Sequence, residues 1–73
     1  MTIEWVPVVS SNLKAIGYDP DARTLQVEFL KSGMIYEYDN VPPEVHSDLL
    51  LAQSHGSFFC RWIRLSYAYR RIR

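Results

Sequence analysis

Alternation of apolar and polar positions in the first half of the chain predicts three β-strands. In the segment 24–29 every second residue is apolar, as in a strand with one buried face. The segments 13–18 and 34–38 are interpreted as strands on the same basis. Between them, 19–23 and 31–33 contain Asp, Pro, Ser and Gly, the residues that tight turns favour. Consecutive strands joined by short turns form an antiparallel meander.

The direction of the side chains in the first strand follows from the two-residue period of β-structure. Ile16 and Tyr18 are expected on one face, and Leu13, Ala15 and Gly17 on the opposite face. A three-stranded meander cannot bury both of its faces by itself, and it therefore needs a helix packed against it.

The spacing of apolar residues becomes helical after residue 42. The segment 39–44 contains two consecutive prolines, which the first turn of a helix tolerates because the missing N–H has no partner there. Val45, Leu49 and Ala52 then follow at helical spacing and predict the buried side of this helix. Gly56 predicts the end of the helix, since glycine commonly terminates helices.

A second helix is predicted over 58–65, with Ser57 as its N-cap. Arg61 and Arg64 are three residues apart and are expected on a common face of this helix. Three large apolar side chains of the same helix are expected in the core: Phe59, Trp62 and Ile63. The segment that follows is predicted to be extended.

These elements predict an α+β fold, in which a small antiparallel three- to four-stranded meander packs against one or two C-terminal helices. The chain has 73 residues, which suffices for one domain, and 48% of them are hydrophobic, as folding requires. We therefore assign 1–73 to a single domain, with 66–73 as a basic C-terminal tail.

Charge is distributed unevenly along the chain, although the formal net charge is zero. Residues 1–59 contain three basic and all eight acidic residues, a balance of −5, whereas 60–73 contain five arginines and no acidic residue. Such asymmetry indicates an interaction surface. Arginine is suited to bidentate contacts with phosphates or carboxylates. Two separate patches would suit a charged protein complex better than naked RNA.

Catalytic and metal-binding groups are sparse. A nucleophilic enzyme would need Cys60 or a serine beside a histidine base, and the sequence offers only His46 and His55 as bases. These residues lack the paired spacing of a zinc site, and no glycine-rich phosphate loop is present. We expect no enzymatic activity, no metal and no cofactor. The single cysteine, the short apolar runs and an N-terminus without signal-peptide features predict a cytoplasmic protein.

Aromatic and basic residues provide the candidate binding site. Tyr36 and Tyr38 alternate along one strand face, where they could stack on bases, but we favour half-buried core positions for both. The candidate partner-binding residues lie near the C-terminus: Arg61, Arg64, Tyr67, Tyr69, Arg70, Arg71 and Arg73. They could contact phosphates or an acidic protein patch, or they could form a solvated tail.

Short motifs occur in a fixed order along nearly the whole chain. They are Ser10-Ser11-Asn12, Ile16-Gly17-Tyr18-Asp19, Leu25-x-Val27-x-Phe29, Gly33-x-x-Tyr36-x-Tyr38, Val41-Pro42, Leu49-x-x-Ala52-x-Ser54-x-Gly56, Phe59, Ile63-Arg64 and Tyr67-x-Tyr69. Together they resemble the KTSC domain, a module found alone in bacteria and phages and at the C-terminus of some lysyl-tRNA synthetases. The chain departs from that pattern at His46, where an aromatic residue is usual, and at Cys60, where asparagine is usual.

The resemblance implies two alternative functions. The length and the basic C-terminus are similar to those of phage transcription regulators in this family. A protein of that kind binds bacterial RNA polymerase, inhibits initiation and promotes read-through of terminators, with nascent RNA and a host elongation factor as further candidate partners. The alternative is a stand-alone RNA-binding module. A third hypothesis is a homodimer formed through Leu50 or Leu51, against our expectation of a monomer that does not bind membranes.

Overall fold

One antiparallel sheet of five strands forms the framework of the protein. The computed structural model describes residues 3–73. The strands are β1 (Glu4–Pro7), β2 (Leu13–Asp19), β3 (Thr24–Phe29), β4 (Ile35–Tyr38) and β5 (Tyr69–Arg71). They lie in the order β1-β2-β3-β4-β5, so each strand pairs with its neighbours in sequence. This confirms the predicted α+β class with a meander sheet.

The sheet is larger than expected because a strand is added at each edge of the predicted meander. All four residues of β1 are exposed, and a short exposed strand has no apolar alternation by which it could be recognised. β5 lies within the segment that is predicted to be extended. It pairs with β4, with Arg71 opposite Tyr36 and Arg70 opposite Glu37. The basic C-terminal residues thus form a strand of the sheet.

A β-bulge in β2 turns the Leu13 side chain towards the face opposite to the predicted one. The register shifts between Leu13 and Ala15, so that one residue more is accommodated on β2 than on β3. Because the extra residue reverses the alternation, Leu13 lies in the same buried cluster as Ile16 and Tyr18. The prediction that it faces away from them is wrong.

The helical region begins with α1 (Pro43–Leu51), which starts after Pro42 as predicted. It ends earlier than Gly56, at a C-cap on Ala52. Gly56 lies within the next helix, α2 (His55–Phe58), and is buried against Asn12, so closely that a Cβ at this position would clash with the Asn12 Oδ1 atom. The glycine is therefore needed for close packing, and its prediction as a helix stop is wrong.

Ser54, and not Ser57, is the N-cap of α2. The Ser54 Oγ atom accepts a hydrogen bond from the Ser57 backbone N–H at 3.2 Å. α2 continues directly into a π-helical segment, Phe59–Ile63, which we call the π segment. Its closing hydrogen bond is donated by the Arg64 N–H to the Phe59 carbonyl oxygen at 2.9 Å.

The wider turn of the π segment decides which of its side chains enter the core. Phe59 and Ile63 are almost completely buried, whereas 54% of Trp62 is exposed. In a π-helix the backbone hydrogen bonds join residues five apart, so each turn is wider than in an α-helix. The side chains therefore take different directions, and Trp62 no longer lies on the buried side. The expectation that Trp62 belongs to the core is wrong. No helix within residues 3–73 has the length and apolar character needed to cross a membrane.

The helices cover one face of the sheet, and the core lies between the two layers. The fully or nearly fully buried cluster contains Leu13, Ile16, Tyr18, Leu25, Val27, Tyr38, Val41, Leu49, Phe59 and Ile63. Leu49 and the partly buried Val45 and Leu50 belong to α1. The helical spacing predicts Leu49 and Val45, but the predicted Ala52 lies at the C-cap, outside the helix. The opposite face of the sheet carries the Trp5 ring against Gly17, where a Cβ would come within 2.9 Å of the indole.

Candidate functional site

A groove opens where the end of the sheet meets the π segment. Its volume is about 430 Å³. We call it the tyrosine groove, and its lining residues are Phe29, Ser32, Met34, Tyr36, Tyr38, Phe59, Cys60, Arg64 and Tyr69. The side chains of β4 reach it because alternate residues of a strand point to the same face. The predicted common face of Tyr36 and Tyr38 is confirmed by this lining.

Three tyrosines form a continuous aromatic surface on the wall of the tyrosine groove. The Tyr69 ring centroid lies 5.9 Å from that of Tyr36 and 5.6 Å from that of Tyr38, with the rings tilted by 35° and 33°. Tyr36 is half-buried, as predicted, whereas Tyr38 is almost completely buried in the core. Tyr69 is 54% exposed, so it is the ring of the three that offers most surface to a ligand.

Two arginines from different elements flank these rings. Arg64 follows the π segment and lines the groove. Arg71 stands opposite Tyr36 in the register of β4 and β5, and cross-strand partners share a face of the sheet. Both arginines are exposed, and neither forms an ion pair within the part of the chain that the structure describes. Their positive charge is therefore available to a ligand.

Arg70 and Arg73 contact acidic residues on the face of the sheet opposite to the tyrosine groove. The Arg70 guanidinium donates a hydrogen bond to the Glu37 carboxylate, which also accepts one from the Gln26 side chain at 2.9 Å. An Arg73 nitrogen lies 3.9 Å from a Glu28 carboxylate oxygen. The sheet thus places acidic residues from the first half of the chain beside basic residues from the end. The idea of two separate charge patches fails at β5 for this reason.

Tyr67 lines a second groove, on the other side of the π segment, and Arg61 lies over one of the rings that line it. The Arg61 guanidinium carbon lies 5.2 Å from the centre of the Trp62 ring. Trp62 and Tyr67 line a groove of about 420 Å³. We call it the tryptophan groove, and its lining residues are Val45, Asp48, Phe58, Trp62 and Tyr67. Arg64 thus lines the tyrosine groove, whereas the Arg61 guanidinium lies over the Trp62 ring.

Burial alters the ionisation of two aromatic side chains. It raises the pKa of Tyr38 from 10.0 to about 12, with a smaller contribution from the neighbouring Tyr69, so the hydroxyl stays protonated over the physiological range. Burial lowers the pKa of His46, whose ring stacks on Tyr18 at a centroid distance of 4.3 Å. His46 is therefore an uncharged packing residue near neutral pH. Among residues 3–73, no three His, Cys, Asp or Glu side chains lie close enough together to bind a metal ion.

Comparison with known proteins places these features in a family context. The sequence model of the KTSC domain matches residues 9–67. A protein of Stutzerimonas stutzeri (strain A1501) is 50% identical over 54 residues, which are 74% of this chain and 75% of that protein. The crystal structure of a KTSC domain protein from Yersinia pestis is similar with a TM-score of 0.93 and 38% identity, covering 99% of this chain and 100% of that one.

Larger proteins contain a similar segment. Lysine–tRNA ligase of Nostoc sp. (strain PCC 7120 / SAG 25.82 / UTEX 2576) is 40% identical over 62 residues, which are 85% of this chain but only 11% of the ligase. The corresponding ligase of Nostoc punctiforme is 37% identical over the same length. The chain thus spans about a ninth of these two enzymes.

Proposed function

The chain belongs to the KTSC domain family, and we propose that it acts as a non-enzymatic module that binds single-stranded RNA. The observation that carries this proposal is the tyrosine groove, which is lined by the exposed Tyr69 ring and by Arg64, with Arg71 two residues further along the same face of β5. An exposed aromatic ring offers a stacking surface to an unpaired base, and arginines beside it offer charge to the flanking phosphates. We place this activity in the cytoplasm.

The chemistry of the groove favours RNA in single strands over duplexes. Bases of a duplex are stacked on each other and cannot reach a ring that lies inside a groove, whereas an unpaired base can turn out and stack on it. Each base stacked on an aromatic side chain contributes about 1–3 kcal/mol to binding. The similarity to segments of lysine–tRNA ligases, which by name act on an RNA, supports the same class of ligand.

Binding can be measured by the fluorescence anisotropy of a labelled single-stranded RNA of mixed sequence, titrated with the protein over a series of salt concentrations. Each contact between an arginine and a phosphate of a single strand lowers the logarithm of the association constant by about 0.7 for each tenfold rise in salt. With Arg64 and Arg71 both engaged, we expect a slope of about −1.4. Capture of duplex RNA with equal affinity would contradict the stacking model.

Two pairs of variants assign the binding to the tyrosine groove. Tyr69→Ala removes the stacking ring and should weaken binding by roughly 5- to 150-fold, while Tyr69→Phe keeps the ring and should bind normally. Arg64→Ala should reduce the salt slope by about 0.7, whereas Arg73→Ala, which makes the same charge change near Glu28, should leave it unchanged. Equal effects of Arg64→Ala and Arg73→Ala would show that the groove is not the site.

Binding to bacterial RNA polymerase is the second candidate function. It is favoured by Leu51 and Leu65, whose side chains are 83% and 81% exposed and would suit a protein partner better than a nucleic acid. A pull-down with purified polymerase, with and without nuclease, separates the candidates. If polymerase captures the protein after nuclease treatment while free RNA does not bind, the RNA proposal fails and the polymerase proposal replaces it.

A further inference from the structure

The tryptophan groove has the composition of a second binding site for an RNA base. We propose that a single RNA strand bound in the tyrosine groove crosses the π segment and stacks a guanine base on Trp62. The Asp48 carboxylate recognises this guanine. This inference rests on the proposed function, because it extends the same strand to a second site. It assigns to Arg61, Trp62 and Asp48 the contacts with one further nucleotide.

The indole of Trp62 is suited to stacking because it is exposed in the folded protein. It is 54% exposed although the side chain is large and apolar, and its neighbour Phe58 supports it at a centroid distance of 6.5 Å. The Arg61 guanidinium lies over one face of the indole, 5.2 Å from the ring centre, so it places a positive charge at the ring and leaves the opposite face as the stacking surface. An aromatic ring with an adjacent arginine is the arrangement that binds an unpaired nucleotide, with the base on the ring and the phosphate near the guanidinium.

The two grooves are connected through the π segment. Cys60 and Arg64 line the tyrosine groove, and Trp62, which lies between them in sequence, lines the tryptophan groove. The two sites are therefore separated by the width of one helical element, about 10–12 Å with its side chains. A strand of a few nucleotides is long enough to cover both sites. This continuity favours RNA over an unrelated protein segment as the occupant.

Asp48 determines which base fits. It is exposed, it lines the tryptophan groove, and it forms no ion pair within residues 3–73. A carboxylate only accepts hydrogen bonds and repels phosphate, so a base edge with donors must face it. Guanine presents two adjacent N–H donors on its Watson–Crick edge, whereas uracil presents a single donor between two carbonyl oxygens. The groove should therefore prefer guanine to uracil.

The test uses the fluorescence of Trp62 as a local reporter. In the full chain carrying Trp5→Phe, Trp62 is the only tryptophan, and its emission is followed during titration with uridine hexamers and uridine trimers. Hexamers with a single guanosine at each position in turn are then compared with the all-uridine hexamer. We expect quenching of Trp62 by hexamers, binding of hexamers at least about tenfold tighter than of trimers, and about fivefold tighter binding with guanosine at one position.

Variants of two acidic residues on the same helix test the base preference. Asp48→Ala should abolish the preference for guanosine, whereas Glu44→Ala, which makes the same charge change at another exposed position of α1, should preserve it. The preference is the readout because general electrostatic or stability effects would change the affinity for all hexamers alike.

The possible failures are distinguishable. If Tyr69-dependent binding is observed but hexamers neither quench Trp62 nor bind more tightly than trimers, the second site is refuted and the proposed function stands. If no RNA binds in any assay, both are refuted. If Trp62 is quenched by an apolar peptide but not by RNA that binds in the tyrosine groove, the tryptophan groove is a protein-docking surface and this inference is overturned.

Discussion

Tyr38 and Tyr69 are direct cross-strand neighbours, yet their surroundings give them different roles. Tyr38 is packed against Phe59 at a centroid distance of 5.4 Å and is 2% exposed, so it belongs to the core. Tyr69 lies on the edge strand and is 54% exposed. The strand period predicts the face of Tyr38 correctly. It cannot predict which tyrosine is covered, because that depends on the position of the π segment.

The raised pKa of Tyr38 predicts a loss of stability in alkaline solution. Its pKa is about 12 in the folded protein against 10.0 for an unperturbed tyrosine, so the folded state holds the proton more tightly than the unfolded state. The stabilisation is fully present below pH 10.0 and is lost as the pH rises towards 12. Urea unfolding across this pH range should show a smaller decline in the free energy of unfolding for Tyr38→Phe than for the wild type.

Part of this alkaline decline should remain in the Tyr38→Phe variant, since burial also raises the pKa of Tyr18. Tyr69→Phe, which removes only the smaller contribution of Tyr69 to the pKa of Tyr38, should reduce this decline in the free energy of unfolding less than Tyr38→Phe does. An unchanged decline in Tyr38→Phe would show that its ionisation is not linked to folding.

At the level of elements, β5 and the π segment are the parts that sequence patterns predict least well. β5 pairs with β4, from which it is separated in sequence by all the helices, and local alternation contains no information about such a distant partner. The π segment has the apolar spacing of an ordinary helix, and its register is determined by packing against the sheet. The strands β2 to β4 and the start of α1, in contrast, are specified by local signals and were predicted correctly.

The two adjacent arginines of β5 should differ in their contribution to stability. Arg70 pairs with Glu37, whose side chain is only 13% exposed, whereas Arg71 has no ion pair within the described residues. Arg70→Ala leaves a mostly buried carboxylate with only Gln26 as its partner, and should lower the free energy of unfolding by about 1 kcal/mol. Arg71→Ala should change it by less than about 0.5 kcal/mol.

Urea denaturation of both single variants measures this difference. A double variant, in which Arg70 and Arg71 are replaced together, would mix an effect on stability with an effect on binding. Adding Glu37→Gln to Arg70→Ala should recover part of the loss, because an amide tolerates burial better than an unpaired carboxylate. Equal free energies of unfolding for the two single variants would show that the Arg70–Glu37 ion pair does not stabilise the protein.

For the molecule as a whole, the distribution of charge differs from what the order of residues along the chain suggests. The split into −5 and +5 exists in the sequence, but the sheet brings the acidic residues of β3 and β4 next to the basic end of the chain. Of the five arginines in 60–73, Arg61, Arg64 and Arg71 form no ion pair with any residue that the structure describes. The candidate site could thus be located by composition, while its division into two grooves and an ion-paired face required the fold.

The edges of the sheet predict a monomer. β1 contains Pro7, which lacks an N–H for pairing, and β5 presents adjacent arginines that would repel a second copy. Sedimentation velocity at high micromolar concentration should give a single species with the mass of one chain. Formation of a dimer would contradict this, and Leu51→Ser would then show whether the exposed side of α1 is responsible.

The order of the strands also determines how the domain can be tethered. β1 and β5 form the two opposite edges of the sheet. Since neighbouring strands are about 4.8 Å apart, four spacings separate these edges by roughly 19 Å. A partner domain or surface anchor attached ahead of β1 therefore stands at the far side of the sheet from Tyr69. Such an attachment leaves the tyrosine groove open, so the domain can be immobilised through its N-terminal side without covering Tyr69.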